Sequence, residues 1–360
     1  MLTTNHFRIA SDELSGVFQT KAVVFTEPGK SLRVEDVELP VVTDNDVLVR
    51  VKAAGICRSD LHTIHGHIRP GKTPIILGHE GAGVIARKGK LVTDFSEDDP
   101  VVVDYVLSCG NCEYCNVGKH NLCDRINFYG FRLDGTWAEY MAVPATNVFR
   151  LPKNVPFDQG ALAGCAVVTG YHAMKVSEMT AGNSVAVIGL GGVGSQLLQW
   201  CKLFGATDII GIDVDDYKLK LARELGATAT VNARQQNFVE TVSELTDGRG
   251  VDIGFEAIGS KDANEKLLSI IKKSGKAVIV GMCFDKISVT PVDLMYKEMQ
   301  IRSPTEHTKS EMREVLRFLG RGAFDVSKTI TKRIPIDKAN EGIEMLEKET
   351  EKQVRIILEP

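Results

Sequence analysis

The 360-residue sequence predicts an α/β protein in two parts, a β-rich first part and then a doubly wound parallel sheet. Three observations predict it. Between Ser184 and Asp213 an apolar strand (SVAVI) runs into G-x-G-x-x-G at Gly189, Gly191 and Gly194, then into a helical pattern carrying Leu197, Leu198, Cys201 and Phe204. Gly205 stops that helix, and a second strand, Ile209 to Ile212, ends on Asp213. After Gly164 strand-like segments alternate with helices: VAVIG, DIIGID, ATATVN, VDIGFEAIG, KAVIVGM and EMQIRS, six strands, which complete such a sheet. Before residue 160 no such rhythm exists. From Lys21 to Pro156 short segments (KAVVF, SLRVEDVEL, DVLVRVKAAGI, AGVIA, VVVDYV) are separated by Gly, Pro and Asp clusters, the mark of an irregular β or barrel domain.

Residues 1 to 20 read as a polar extension. Beyond about Ser303 a helix is expected over Ser310 to Leu319 and a final strand in QVRIILE. With the parallel sheet already complete, this tail is expected to return to the first part. A chain of this length supports two sizeable cores. Hydrophobic residues at 43%, charged residues at 25% and a net charge of −4 describe an ordinary soluble protein without the basic field that nucleic acid requires. The N-terminus lacks a basic lead and an apolar core, and no run approaches a membrane-spanning length, so a cytoplasmic location away from membranes is expected.

Each glycine of the turn has a task in binding a dinucleotide. Gly189 permits the tight turn, Gly191 lets the backbone approach a pyrophosphate, and Gly194 allows helix and strand to pack closely. The pyrophosphate then sits on the helix N-terminus, which makes Leu190, Gly192 and Val193 cofactor-binding candidates as well. Asp213 is placed to accept hydrogen bonds from the adenosine ribose. Asp215 and Asp216 add negative charge where the phosphate of NADP would lie, and no arginine follows within seven residues, so NAD is the expected cofactor. Lys218 and Lys220 are the nearby cations, and Lys218 is counted among the cofactor-binding candidates.

Six of the eight cysteines fall into two groups. Cys109, Cys112, Cys115 and Cys123 make C-x2-C-x2-C-x7-C on a turn-rich loop, a set that closes a zinc tetrahedron and leaves no open position. An iron–sulfur cluster or disulfides are the alternatives. The bacterial ferredoxin run continues C-x3-C-P, however, whereas here Cys123 is seven residues on and precedes Asp124. The second group is dispersed: Cys57 in GICRSDLH, His79 in GHEGAG and Cys165 in AGCAVVTGYHA. Taken singly, each also reads as a buried core residue. Together, two thiolates and an imidazole give zinc three ligands and an open fourth position.

GHEGAG, GICRSDLH, the four-cysteine loop, AGCAVVTGYHA and GLGGVG stand in an order and spacing that resembles the zinc-dependent medium-chain alcohol dehydrogenases, from about Lys21 to the C-terminus. The resemblance implies a GroES-like catalytic domain (residues 1–166 and 303–360), a Rossmann domain (167–302) and an active-site cleft between them. It implies that Cys57, His79 and Cys165 hold a catalytic zinc, with Glu80 behind the metal as an alternative ligand. Ser59 resembles the hydroxyl that takes the alcohol proton and His62 the outer end of the relay, with a solvated surface histidine as the plainer reading of His62. Arg58 and Arg355 look like the pair on the pyrophosphate, Thr169 and Val193 like residues against the nicotinamide, and Tyr105 and Phe128 like pocket-lining aromatics. His65 and His67 match no role, and SEDDP replaces the usual glycine-bearing turn before Val101.

The implied function is reversible hydride transfer between a primary, secondary or aromatic alcohol and NAD, giving an aldehyde or ketone, with two zinc ions per chain and a homodimer or homotetramer as the assembly. Two thiolates neutralise the charge of the catalytic zinc, and a cation beside an alcohol oxygen makes its proton easier to lose. Two other functions compete: a zinc-free reductase of the quinone or enoyl type, and a cofactor-binding protein without turnover. The complete ligand set with Ser59 and His62 argues against both.

Overall fold

The computed structural model describes residues 19–349 and 352–360, so the polar extension expected over residues 1–20 lies outside the described residues except for its last two. The β-rich part runs β1 (Gln19–Phe25), β2 (Arg33–Glu38), β3 (Asp46–Ile56), α1 (Arg58–Ile64), β4 (Ile75–Ile76), β5 (Glu80–Lys88), β6 (Pro100–Val103), β7 (Val106–Leu107), α2 (Glu113–Asn116), β8 (Asn127–Phe128), β9 (Tyr140–Pro144) and β10 (Val148–Arg150). Two helices, α3 (Phe157–Leu162) and α4 (Val168–Val176), lead out of it. Strands and helices then alternate through β11 (Ser184–Ile188), α5 (Gly192–Leu203), β12 (Asp208–Asp213), α6 (Asp216–Leu225), β13 (Ala229–Asn232), α7 (Phe238–Leu245), β14 (Val251–Glu256), α8 (Lys261–Ser269), β15 (Ile271–Ile279), α9 (Pro291–Lys297) and β16 (Gln300–Arg302). The tail supplies α10 (Lys309–Gly320), β17 (Ile330–Pro335), α11 (Ala339–Lys348) and β18 (Arg355–Glu359).

The alternating stretch forms a six-stranded sheet, β13-β12-β11-β14-β15-β16, in which every pairing is parallel. Strand β11 is buried from Val185 to Ile188, as a central strand covered by helices on both faces must be. Its order reverses beside β11, and β11 therefore ends at the crevice where such sheets bind ligands. The β-rich part is built on a seven-stranded sheet, β10-β6-β5-β3-β18-β17, with β9 also paired to β3. The tail does return to it: Ile356 of β18 lies opposite Ile56 of β3.

One apolar cluster joins the two sheets, running from Ala53 and Phe149 through Leu162 and Val168 to Leu197, Trp200 and Leu316. Trp200 of α5 is fully buried, donates its indole N–H to the Val167 carbonyl at 2.9 Å and packs 4.7 Å from the Tyr171 ring of α4. The same ring packs 4.4 Å from Phe324 and 5.3 Å from Phe318 of the tail, so Trp200, whose truncation would cost about 3–5 kcal/mol, ties the tail to the parallel-sheet part. In SEDDP the turn survives without glycine. Asp98 takes the left-handed conformation (φ 67°) at a cost of about 1 kcal/mol, and its N–H bonds the Ile85 carbonyl at 2.8 Å. Among the described residues no helix is long and apolar enough to cross a membrane.

Candidate active site

Cys57 leaves β3 in an extended conformation and serves as N-cap of α1, which begins at Arg58, two residues earlier than the DLH segment alone suggests. The third helical residue, Asp60, folds back to accept the Cys57 N–H at 2.9 Å. Glu80 opens β5, and His79 immediately precedes it. They approach β3 closely because Gly55 has no side chain: a Cβ there would lie 2.0 Å from Glu80 Oε2. Cys165 sits in a single π-helical turn, Ala163–Val167, between α3 and α4. Such turns frequently mark functional sites, and nothing in the local composition announced this one.

These elements bring Cys57, His79, Glu80 and Cys165 together, all buried, with ligand atoms within 4.8 Å of one another. Two thiols and an imidazole are donors suited to zinc. Both Glu80 oxygens are buried without a hydrogen bond, a state that calls for positive charge nearby. Arg355 supplies part of it, 3.2 Å from Glu80 Oε1. Burial pushes the Glu80 carboxyl up to about 7 against the pull of Arg355. The hydrogen bond from Cys165 holds the Cys57 thiol well below its ordinary value, while the same bond and burial push Cys165 well above. His79 Nδ1 donates to Asp60 Oδ1 at 2.9 Å, which leaves Nε2 free to ligate. Burial by itself lowers the imidazole, but Asp60 and Cys57 raise it well above its ordinary value. Sequence reasoning missed Asp60, although its place three residues after Cys57 was the available signal.

A cleft of about 640 Å³ opens over this cluster. Cys57, His79 and Cys165 reach it, with Arg58, Ser59 and His62 on one side and Thr169, Val193 and Lys218 on another. Gly189, Gly191, Gly192 and Asp213 face the same space, and so do the aromatics Tyr105 and Phe128. Gly189 holds φ 89° at the turn, and a Cβ on Gly194 would sit 1.8 Å from the Gly189 carbonyl oxygen. Gly194 and Leu190 therefore stand behind the turn and do not line the cleft: Leu190 is buried in the core and gives only its N–H, to Asp213 Oδ2 at 2.7 Å. Glu80 likewise lies behind the cluster and off the cleft wall.

Three further expectations are modified. Asp213 already accepts N–H groups from Leu190, Val214 and Asp215, so it ties the glycine turn together as well as facing the cleft. Asp215 is not free negative charge. It is buried against Lys218 Nζ at 2.6 Å, one of the nearby cations the sequence offered, with Arg234 3.9 Å away, which comes to the corner from a place the sequence did not connect. Arg355 is buried, fills the space a Cβ on Gly192 would need, and bonds the Ile56 carbonyl at 3.3 Å. It thus spans the two parts at the cofactor turn. Ser59 Oγ lies 3.8 Å from Cys57 Sγ, and His62 Nδ1 lies 3.4 Å from His67 Nδ1 with the Phe284 ring 5.4 Å away. His65, without an assigned role, pairs with Glu347 at 2.6 Å on the surface.

Away from the cleft, the sulfurs of Cys109, Cys112, Cys115 and Cys123 also lie within 4.8 Å of one another. The Cys109–Cys115 separation of 4.0 Å is close to the edge of a tetrahedron with 2.3 Å zinc–sulfur bonds, about 3.8 Å. Cys123 Sγ accepts N–H bonds from Cys109 and Arg125, the support a thiolate needs. All four corners are protein, so this set fits a closed structural zinc.

Residues 43–153 match the family model described as the alcohol dehydrogenase GroES-like domain, and residues 192–321 match the one described as zinc-binding dehydrogenase. An alcohol dehydrogenase of Geobacillus stearothermophilus is 35% identical over 89% of this chain and 94% of its own. The chain belongs to the zinc-dependent medium-chain dehydrogenase family. An L-threonine 3-dehydrogenase of Bacillus velezensis is 31% identical over 91% of this chain and 96% of its own. The solved alcohol dehydrogenase of Thermus sp. ATN1 superposes with a TM-score of 0.88 at 30% identity, covering 94% of this dehydrogenase and 99% of that chain. The chain is thus an oxidoreductase of this family, with its GroES-like and parallel-sheet architecture.

Proposed function

We propose that this dehydrogenase oxidises an alcohol to an aldehyde or ketone, reversibly, with NAD and one catalytic zinc, and carries a second, structural zinc. The observation that carries the reading is the single cleft onto which both the Cys57, His79 and Cys165 donors and the glycine turn of β11 open. When bound, the zinc supplies Lewis-acid polarisation of the substrate oxygen and the nicotinamide supplies the hydride acceptor.

The chain's own groups do the rest. Cys57 and Cys165 as thiolates match the charge of the metal, and Asp60 fixes His79 in the tautomer that ligates through Nε2. Ser59 takes the alcohol's proton, and His62, three residues on, passes it to solvent. Burial and the neighbouring His67 lower the His62 imidazole, so it remains neutral and able to accept a proton through neutrality. Thr169 and Val193 pack the nicotinamide, while Arg58 and Arg355 face the pyrophosphate. Asp213 at the end of β12 favours the free ribose hydroxyl of NAD, and this preference rests on Asp213 alone now that Asp215 is neutralised by Lys218. A zinc-free reductase would leave two thiols and Glu80 buried together with no metal to use them.

A panel of primary, secondary and aromatic alcohols, each with NAD and with NADP, tests the reading. Reduction of NAD by at least one alcohol class, at higher kcat/KM than NADP, is expected. No turnover with either cofactor would refute the activity, and equal efficiency with both would refute the cofactor preference.

A further inference from the structure

Three acids line the cleft. Asp213 and Asp215 belong to the cofactor side, where backbone N–H groups and Lys218 occupy them. The third, Glu306, lies elsewhere, beside Tyr105, whose ring is 5.1 Å from that of His79. The Tyr105 hydroxyl donates to Glu306 Oε2, and among the described residues Oε1 has no hydrogen-bond donor. Burial and Glu306 raise the Tyr105 phenol well above its ordinary value, so it stays a donor.

The backbone around Glu306 is fixed from both sides. The Thr305 carbonyl accepts Asn121 Nδ2 at 3.0 Å, and His307, fully buried, bonds Asp104 Oδ1 through Nε2 at 3.1 Å. Thr308 then caps α10. Between these anchors Glu306 holds φ 53°, a left-handed conformation that a glutamate adopts only when its neighbours impose it. Phe128 packs on Tyr105 and Phe131 on His79 in this part of the cleft; Arg69 and Arg132 line the cleft too, but among the described residues neither forms an ion pair with Glu306.

Resting on the proposed alcohol dehydrogenase activity, we propose that Glu306 is a specificity-determining residue that accepts a hydrogen bond from a second donor on the substrate, a hydroxyl or ammonium next to the reacting carbinol. The substrate class is therefore a vicinal diol or amino alcohol, and a plain aliphatic alcohol leaves the acceptor unpaired beside carbon. A site that hydrogen-bonds a substrate group rejects the analogue lacking it, because its own polar atom is then left without a partner. For one bond to a charged acceptor the expected discrimination is roughly ten- to a hundred-fold.

The test uses the zinc-loaded enzyme with 2-butanol, 2,3-butanediol and 1-amino-2-propanol as matched substrates, for wild type, Glu306→Gln and Glu306→Met. Steady-state kinetics and the calorimetric Kd of each alcohol are read. The wild type is expected to favour the diol or the amino alcohol over 2-butanol by tenfold or more. Glu306→Met, unbranched at this left-handed position, is expected to abolish that ratio by raising KM and Kd for the polar substrates by a larger factor than for 2-butanol. Glu306→Gln keeps part of the diol preference and loses the preference for the amino alcohol. Equal losses on all three substrates would show that Glu306 only supports Tyr105 and would overturn the proposal, as would an unchanged ratio in Glu306→Met. A wild type inert toward all three and toward the wider alcohol panel would instead overturn the proposed function, and the inference with it.

Discussion

Asp60 carries the least visible role in the site. It is fully buried and spends both oxygens locally, one on the Cys57 N–H and one on His79 Nδ1, so it sets the position of one ligand and the tautomer of another. Asp60→Asn keeps the shape but offers the imidazole a weaker acceptor. Zinc retention at the open site is expected to fall ten- to a hundred-fold, measured by competition with a graded chelator. Unchanged retention would mean that Asp60 only caps α1. His62 is a different case because its ring reaches the cleft but touches Phe284 and His67, not Ser59. His62→Gln is expected to slow alcohol oxidation most at and just below neutral pH, where hydroxide is scarce, and small buffer bases are expected to restore part of the rate. A wild-type pH profile with no buffer response would take His62 out of the proton path.

At the scale of elements, α10 shows how the tail is fastened. Thr308 and Glu311 form a capping box, and Glu311, only 5% exposed, also meets His172 of α4 at 3.0 Å. Burial alone would raise this carboxyl, but His172 and the Thr308 bonds hold it at about 2, down from 4.5. A depressed carboxyl stabilises the fold above its unfolded value and stops doing so as pH falls. The contribution is thus complete above about pH 4.5 and gone near pH 2. Glu311→Gln is expected to cost on the order of 1–3 kcal/mol near neutrality and to flatten the acid limb of stability in that window, as read from denaturant midpoints against pH. An acid limb identical to wild type would remove the pair from the account. The elements themselves were legible where a period or a glycine marks them: the six parallel strands, the glycine turn, α10 and the final strand all appear. The π turn at Cys165 was not, because its widened turn is imposed by packing between α3 and α4 and leaves no pattern in AGCAV.

For the whole molecule, the four-cysteine loop stands out in the sequence by its own spacing, whereas Cys57, His79 and Cys165 are far apart in the chain and are expected together only through the family resemblance. What could not be read depends on segments far apart in the chain meeting in space. Arg355 from the last strand lies against Gly192 and Glu80, Arg234 after β13 reaches Asp215, and Glu306 meets Tyr105. No local signal encodes those meetings. Arg355 arrives because β18 pairs with β3, Arg234 because β13 pairs with β12, and Glu306 because its neighbours Thr305 and His307 are tied to Asn121 and Asp104. The proposed function requires one open and one closed zinc site in a single chain. Elemental analysis of the dialysed protein beside Cys57→Ser and Cys112→Ser tests it most directly. Two zinc ions per wild-type chain and close to one in each variant are expected, with turnover lost in the first variant and stability lowered chiefly in the second. Iron with visible absorbance, one metal or none in the wild type, or the reverse pattern in the two variants would contradict it.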